Sequence, residues 1–177
     1  MKKNKISKEW LSRQKKDIYF KKSKTLGYRS RSAFKLIEMN NKFNFLKRST
    51  QLLDLGSSPG GWSQVASKTI TNGKILAVDI KFMEKIKNVE FINEDFSFEE
   101  TRKKIINHFK LKIDVVLSDM AINTSGNKDL DSFKTGELCL KSMDLASKIL
   151  NQDGVFLSKF FMGSIFQEIK IKASKYF

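Results

Sequence analysis

The chain has 177 residues, 40% of them hydrophobic and 30% charged, with a formal charge of +15. A length of this order buries roughly 70% of the unfolded surface in one compact domain, and neither the composition nor the longest apolar run, well short of ~18 residues, fits a disordered or membrane-spanning chain. The basic start Met1-Lys2-Lys3-Asn4-Lys5 has no apolar stretch behind it and so does not read as a secretory signal, which makes the cytoplasm the expected location.

The charge is unevenly placed. Residues 1–48 carry 16 Lys/Arg against 3 Asp/Glu, a net +13, whereas residues 49–177 are close to neutral at +2. A basic segment interleaved with Trp10, Tyr19, Phe20 and Tyr28 is the footprint of a protein that neutralises nucleic-acid phosphates and stacks on bases; a solvated Lys-rich surface is the plainer alternative. Within this segment Ser30 is placed to cap a helix running to about Asn41, on which Ala33, Phe34, Leu36 and Ile37 share one side and Lys35 faces the other.

From residue 51 onward, short β-rich runs alternate with helical patterns. Strands are expected at Gln51 to Leu55, Lys74 to Ile80, Val89 to Ile92, Ile113 to Ser118 and Gly154 to Phe160. Helices are expected at Gly61 to Ile70, Phe98 to Phe109 and Phe133 to Leu150, the last with Cys139, Met143, Ala146 and Leu150 on one apolar face. That alternation gives βαβ units and an α/β fold, a mostly parallel sheet with helices on both faces. Cys139 and His108 are the only Cys and His, so an internal disulfide and a Cys/His zinc site are excluded and no metal is expected.

The strongest local signal is Asp54-Leu55-Gly56-Ser57-Ser58-Pro59-Gly60-Gly61-Trp62, a strand that breaks into glycines before a helix. Glycines there let a ligand approach the backbone in the crevice beyond the strand's carboxyl end. The spacing Gly-x-x-x-Gly-Gly differs from the Gly-x-Gly-x-x-Gly of dinucleotide folds, which disfavours a hydride-transfer enzyme. Asp79 closes the second strand and emerges in the same crevice, where a carboxylate accepts ribose hydroxyls. Asp95, after the third, suits an adenine amine or, with Glu94, Glu99 and Glu100, a helix N-terminus. Asp119 and Lys159 each end an apolar run, Val115-Val116-Leu117 and Val155-Phe156, and charges at such strand ends have a function or a partner.

These residues together resemble the FtsJ/RrmJ (RlmE) family of ribosomal RNA ribose 2′-O-methyltransferases. The resemblance rests on Gly27-Tyr28-Arg29-Ser30-Arg31-Ser32-Ala33-Phe34-Lys35-Leu36, on Asp54 to Gln64 and on Ser118-Asp119-Met120-Ala121, and it runs from about Trp10 to Phe177. It implies a Rossmann-like methyltransferase domain at 49–177 behind an RNA-binding segment at 1–48. It implies S-adenosyl-L-methionine held at Gly60, Trp62, Asp79, Asp95 and Asp119, and a monomer acting on a uridine of the large ribosomal subunit. Of the family's Lys-Asp-Lys-Glu tetrad it matches Lys35, Asp119 and Lys159, with Lys159 as proton acceptor. The Glu, which lies in a later strand of the family, has no counterpart here, so two closing strands of the sheet are expected to be missing and the 154–160 strand to form an exposed edge.

A ribose hydroxyl is a weak nucleophile, so such an enzyme must align it with the activated methyl and remove its proton. A lysine does this once burial and a nearby cation lower its pKa from about 10.4, and Lys35 is the candidate for that cation. Relatives acting on transfer RNA or messenger RNA caps share the tetrad, and a non-catalytic RNA-binding protein with a retained fold is the reading from a different class.

Overall fold

A computed structural model of the protein describes residues 18–177 apart from 49, 111, 121 and 123; the expectations made for Trp10, the first five residues and Ala121 lie outside the described residues. Five strands, β1 (Gln51–Leu55), β2 (Lys74–Val78), β3 (Glu90–Ile92), β4 (Ile113–Ser118) and β5 (Leu150–Ser158), form one sheet in the order β3-β2-β1-β4-β5, and every pairing is parallel. The helices are α1 (Ile18–Thr25), α2 (Ser32–Phe43), α3 (Gly61–Thr69), α4 (Glu99–Phe109), α5 (Lys128–Ile149) and α6 (Phe166–Tyr176), with a 3-10 turn at Leu46–Arg48. None of the described helices is long and apolar enough to cross a membrane.

The leucines of β1 show why its run is apolar throughout. Leu53 and Leu55 face a core shared with Ile105 and Phe109 of α4 and Leu145 and Ile149 of α5. Leu52 faces the opposite core, with Ala33 and Leu36 of α2 and Trp62, Val65 and Ala66 of α3. A central parallel strand covered on both faces must bury side chains of both parities, and the doubly wound architecture read from the sequence is the result. Chain order reverses between β1 and β4, so the crevice of this sheet opens at the carboxyl ends of those two strands.

Element ends depart from the sequence reading where a side chain intervenes. β2 stops at Val78 instead of Ile80, because the Asp79 carboxylate accepts from Ser58 N–H (2.8 Å) and Lys81 N–H (2.7 Å) and turns the chain. Helix α5 starts five residues before Phe133, since the Asn127 side chain caps it through Asp129 N–H and Leu130 N–H. Ser30 does not cap α2. Its hydroxyl lies 2.8 Å from the Ser32 hydroxyl, and Arg31 holds the N-cap position with no side-chain hydrogen bond. Strand β5 begins at Leu150 and changes register between its pairings with Ile113 and Val115, so the chain leaves α5 directly into the sheet, before Gly154.

Helices α1 and α6 were not anticipated. The strand β5 lies at one end of the sheet, and α6 lies beside it, with Phe177 stacked on Phe156 at 5.7 Å and 14° and Ile169 buried against Cys139 and Met143 of α5. One face of the expected edge strand is therefore covered by apolar contacts.

Candidate active site at the carboxyl ends of the strands

Each strand of the sheet delivers one charged residue to the same region, or ends beside one: Asp54 in β1, Asp79 after β2, Asp95 after β3, Asp119 after β4 and Lys159 after β5. The glycine turn gives them a common floor. Gly56 has φ +72°, and a side chain there would put Cβ 2.8 Å from the Met120 Cα, so this close approach demands glycine. Gly60, at φ +109°, opens α3; its Cα faces Met83, Ile86 and Arg29. The turn is tied down by Gly56 N–H to Val78 O (2.9 Å) and Gly60 N–H to Ser57 O (2.7 Å).

Two cavities adjoin this turn. The first, of about 210 Å³, is lined by Gly56, Asp79, Glu94, Asp95, Asp119 and Met120 among others. The second, of about 200 Å³, is lined by Ser30, Asp54, Ser57, Trp62, Asp119 and Lys159 among others. Asp119 stands in the wall of both. Backbone bonds from Asp119 N–H to Leu55 O (3.2 Å) and from Lys159 N–H to Ser118 O (2.9 Å) continue the ladder beyond the strands. They place the two side chains together, and Lys159 Nζ forms an ion pair with Asp119 Oδ1. The Asp119 side chain is 13% exposed and that of Lys159 43%, which leaves the lysine reachable from outside.

The acidic cluster after β3 divides by function. Asp95 lines the first cavity while its Oδ1 accepts from Ser97 N–H at 2.7 Å, so it both turns the chain toward α4 and leaves acceptor capacity for a ligand. Glu94 instead pairs with Lys104 and accepts from the Thr101 hydroxyl (2.9 Å), and these two partners hold its carboxyl below the usual range. Trp62 is buried, and its indole donates to Ser32 O (2.9 Å), which docks α2 onto the turn.

Of the expected set, Gly60 lines neither cavity and Trp62 lines only the second, and Lys35 is not brought in at all. It lines neither cavity, its side chain is 68% exposed, and it pairs with Glu38 at 3.6 Å.

Asp54, quoted in the motif but given no role by sequence reasoning, is the buried charge of the site. It is fully buried on the Leu52 side of β1. Oδ2 accepts from the Ser63 hydroxyl at 2.6 Å, and Oδ1 has no partner among the described residues. Burial pushes its pKa from 3.8 to about 7; the Ser63 hydrogen bond opposes that rise, and the negative charges of Asp119 and Asp79 add to it. The signal was present in Leu52-Leu53-Asp54-Leu55, an acid inside an apolar run.

A parallel sheet whose switch-point crevice is floored by a glycine turn and lined by acids at successive strand ends defines a Rossmann-like nucleotide-cofactor fold. A family model described as FtsJ-like methyltransferase matches residues 28–177, and the chain belongs to this family. It is 48% identical to a Ribosomal RNA large subunit methyltransferase E of Pelagibacter ubique over 177 residues, all of this chain and 87% of that one. It is 41% identical to the protein of that name from Rickettsia felis, across 97% of this chain and 78% of the relative. Among solved structures, a ribosomal RNA methyltransferase from Plasmodium falciparum superposes with a TM-score of 0.77 at 34% identity, covering 84% of this chain and 86% of the other.

Proposed function

We propose that this protein transfers a methyl group from S-adenosyl-L-methionine to a ribose 2′-hydroxyl of large-subunit ribosomal RNA, at a uridine, with Lys159 as proton acceptor. The observation that carries the reading is the Asp119–Lys159 pair, in which Asp119 lines both cavities and Lys159 the second. A cofactor with its nucleoside in the first cavity and its amino-acid end toward Asp54, and a ribose hydroxyl approaching Lys159, would meet at this pair. The names of the relatives from Pelagibacter and Rickettsia support the ribosomal substrate.

The residues present suit the cofactor. Asp79 and Asp95 would hold its nucleoside, and Gly56 lines the same cavity with bare backbone. The partnerless Asp54 Oδ1 and Ser57 Oγ are buried acceptors at the second cavity that suit the ammonium of its amino-acid end. When bound, the cofactor supplies a sulfonium methyl, already activated for attack.

The protein then has two tasks, to align the hydroxyl and to take its proton. Asp119 accepts a hydrogen bond from Lys159 and fixes where its Nζ sits; Lys159, after releasing one ammonium proton to solvent, takes the hydroxyl proton as the ribose oxygen attacks. Lys35 belongs to the RNA side. Leaving Glu38 for a substrate phosphate or for the vicinity of Lys159 would bring a second cation to the reaction. The basic residues of 1–48 hold the RNA backbone, and the protein works in the cytoplasm as a monomer.

The test is tritiated methyl transfer from S-adenosylmethionine to undermethylated large ribosomal subunits and, in parallel, to transfer RNA. Incorporation into subunits, recovered as 2′-O-methyluridine after nuclease digestion, is expected. Incorporation into transfer RNA alone would overturn the substrate assignment, and none into either would leave the RNA-binding alternative.

A further inference from the structure

We propose that Arg29, counted by its charge among the RNA-binding residues, is a positioning residue of the cofactor site: it ties the glycine turn to the loop that follows β2. The inference rests on the reading of the first cavity as the S-adenosylmethionine site.

The backbone of Gly27 to Arg29 is fastened to α3 by one side chain. Gln64 Oε1 accepts from Arg29 N–H at 2.8 Å and Gln64 Nε2 donates to Gly27 O at 3.0 Å, so both ends of the amide are used. From this anchor the guanidinium reaches three backbone carbonyls of two other segments. Nη1 donates to Glu84 O (2.7 Å) and to Pro59 O (3.3 Å), and Nη2 donates to Lys85 O (2.9 Å). A Cβ at Gly60 would lie 3.1 Å from Nη1, so the guanidinium sits directly against the turn.

Carbonyl oxygens at segment ends need donors, and a planar fork with five N–H groups satisfies several at once where a lysine ammonium, a compact point charge, does not. The tied segments are those that shape the cavity. Ser58, one residue before Pro59, donates to Asp79, and the loop held at Glu84 and Lys85 opens with Asp79, Ile80 and Lys81, all of which line the cavity. Donors already directed at protein carbonyls are poorly placed to take a phosphate. The arginine therefore acts on RNA methylation through the cofactor, and its effect should appear as a change in cofactor affinity.

The experiment measures S-adenosylhomocysteine binding by calorimetry and binding of a fluorescein-labelled RNA hairpin across a salt series, on the full chain, for wild type, Arg29→Met, Arg29→Lys and Gln64→Leu. Loss of these charge-assisted bonds should raise the Kd for S-adenosylhomocysteine about tenfold in Arg29→Met. Arg29→Lys should recover part of that loss, and Gln64→Leu should weaken binding in the same direction without touching a charge. The KM for S-adenosylmethionine should rise more than kcat falls, and RNA affinity and its salt slope should stay at wild-type values in every variant. Unchanged S-adenosylhomocysteine affinity together with an RNA salt slope reduced by about one in Arg29→Met, the mark of a lost phosphate contact, would overturn the proposal and leave the cofactor site intact. Failure of the wild-type chain itself to bind S-adenosylhomocysteine would overturn the cofactor reading, and this inference with it. Should Arg29→Met not fold, Arg29→Lys and Gln64→Leu decide alone, since wild-type cofactor affinity in both refutes the tie.

Discussion

Replacing Asp54 by Asn tests the electrostatics of the buried site directly. Its pKa of about 7 in the folded protein against an ordinary 3.8 means that the native state holds this proton more tightly than the unfolded chain does. Stability from the protonated carboxyl is therefore fully present below about pH 4, declines as pH rises, and is gone above about pH 7. Three pKa units at 1.36 kcal/mol each make the cost of ionisation about 4 kcal/mol, an upper bound, since water entering the second cavity beside Oδ1 would soften it. Asn keeps an acceptor for the Ser63 hydroxyl and carries no charge at any pH. Asp54→Asn should therefore be more stable than wild type by up to about 4 kcal/mol at pH 8, a gap that closes by about 1.4 kcal/mol per pH unit toward pH 4. Urea midpoints from tryptophan fluorescence, taken from pH 4 to pH 8.5 without cofactor, measure the gap, and other titrating groups cancel in the difference. A gap independent of pH, or a variant less stable at pH 8, refutes the assignment of a buried, unpaired carboxyl. At pH 8 the same variant should bind S-adenosylhomocysteine more weakly, because stability recovered by removing the charge is lost as attraction for the cofactor's ammonium.

Lys159→Ala should abolish methyl transfer while S-adenosylhomocysteine binding by calorimetry stays within about threefold of wild type, a change under ~1 kcal/mol; wild-type turnover would remove Lys159 from the chemistry. Gly56→Ala drives a methyl group against Met120 at a left-handed φ and should cost about 2–4 kcal/mol, read from urea midpoints, with loss of cofactor binding. Asp114 accepts from Thr50 N–H (2.7 Å), the Thr50 hydroxyl (3.1 Å), Gln51 N–H (3.0 Å) and Asn151 Nδ2 (2.9 Å) at the sheet end away from the site. Asp114→Ala should lower stability by about 2 kcal/mol without altering the KM for S-adenosylmethionine.

What the sequence disclosed was decided by which signals are local. The strand β1 is bounded by residues that the pattern alone identifies, because a central parallel strand has no polar face to blur it. Cys139, Met143 and Ala146 of the expected helix face are buried as their spacing implied, and Leu150 is buried as the first residue of β5. Asp79, Asp95 and Asp119 were legible as strand-end acids and do line one cavity. Misjudged boundaries came from side chains acting on distant backbone, as when Asp79 turns the chain toward Ser58. Helix α6 was passed over because its single buried residue, Ile169, gives almost no periodic signal. Arg29 entered the sequence reading only by its charge for a related reason: charge is visible in a sequence, but three carbonyls contributed by residues 30 to 56 positions away are not. The position of Lys35, paired with Glu38 on the outer side of α2, follows from helix geometry, whereas its membership of the tetrad came only from resemblance.

The supply of one charged residue per strand has a consequence for how the protein comes into being on the ribosome. Synthesis proceeds from the N-terminus, and strands β1 to β4 with the helices between them carry the acids that line the first cavity. The acids Asp79, Asp95 and Asp119 are thus all made before the lysine that pairs with the last of them. Lys159 comes some 40 residues later, about 2–8 seconds at 5–20 residues per second, and only β5 sets it beside its carboxylate. The two halves of the proposed reaction are therefore made in order, the residues assigned to the donor first and the residue assigned to deprotonate the acceptor last.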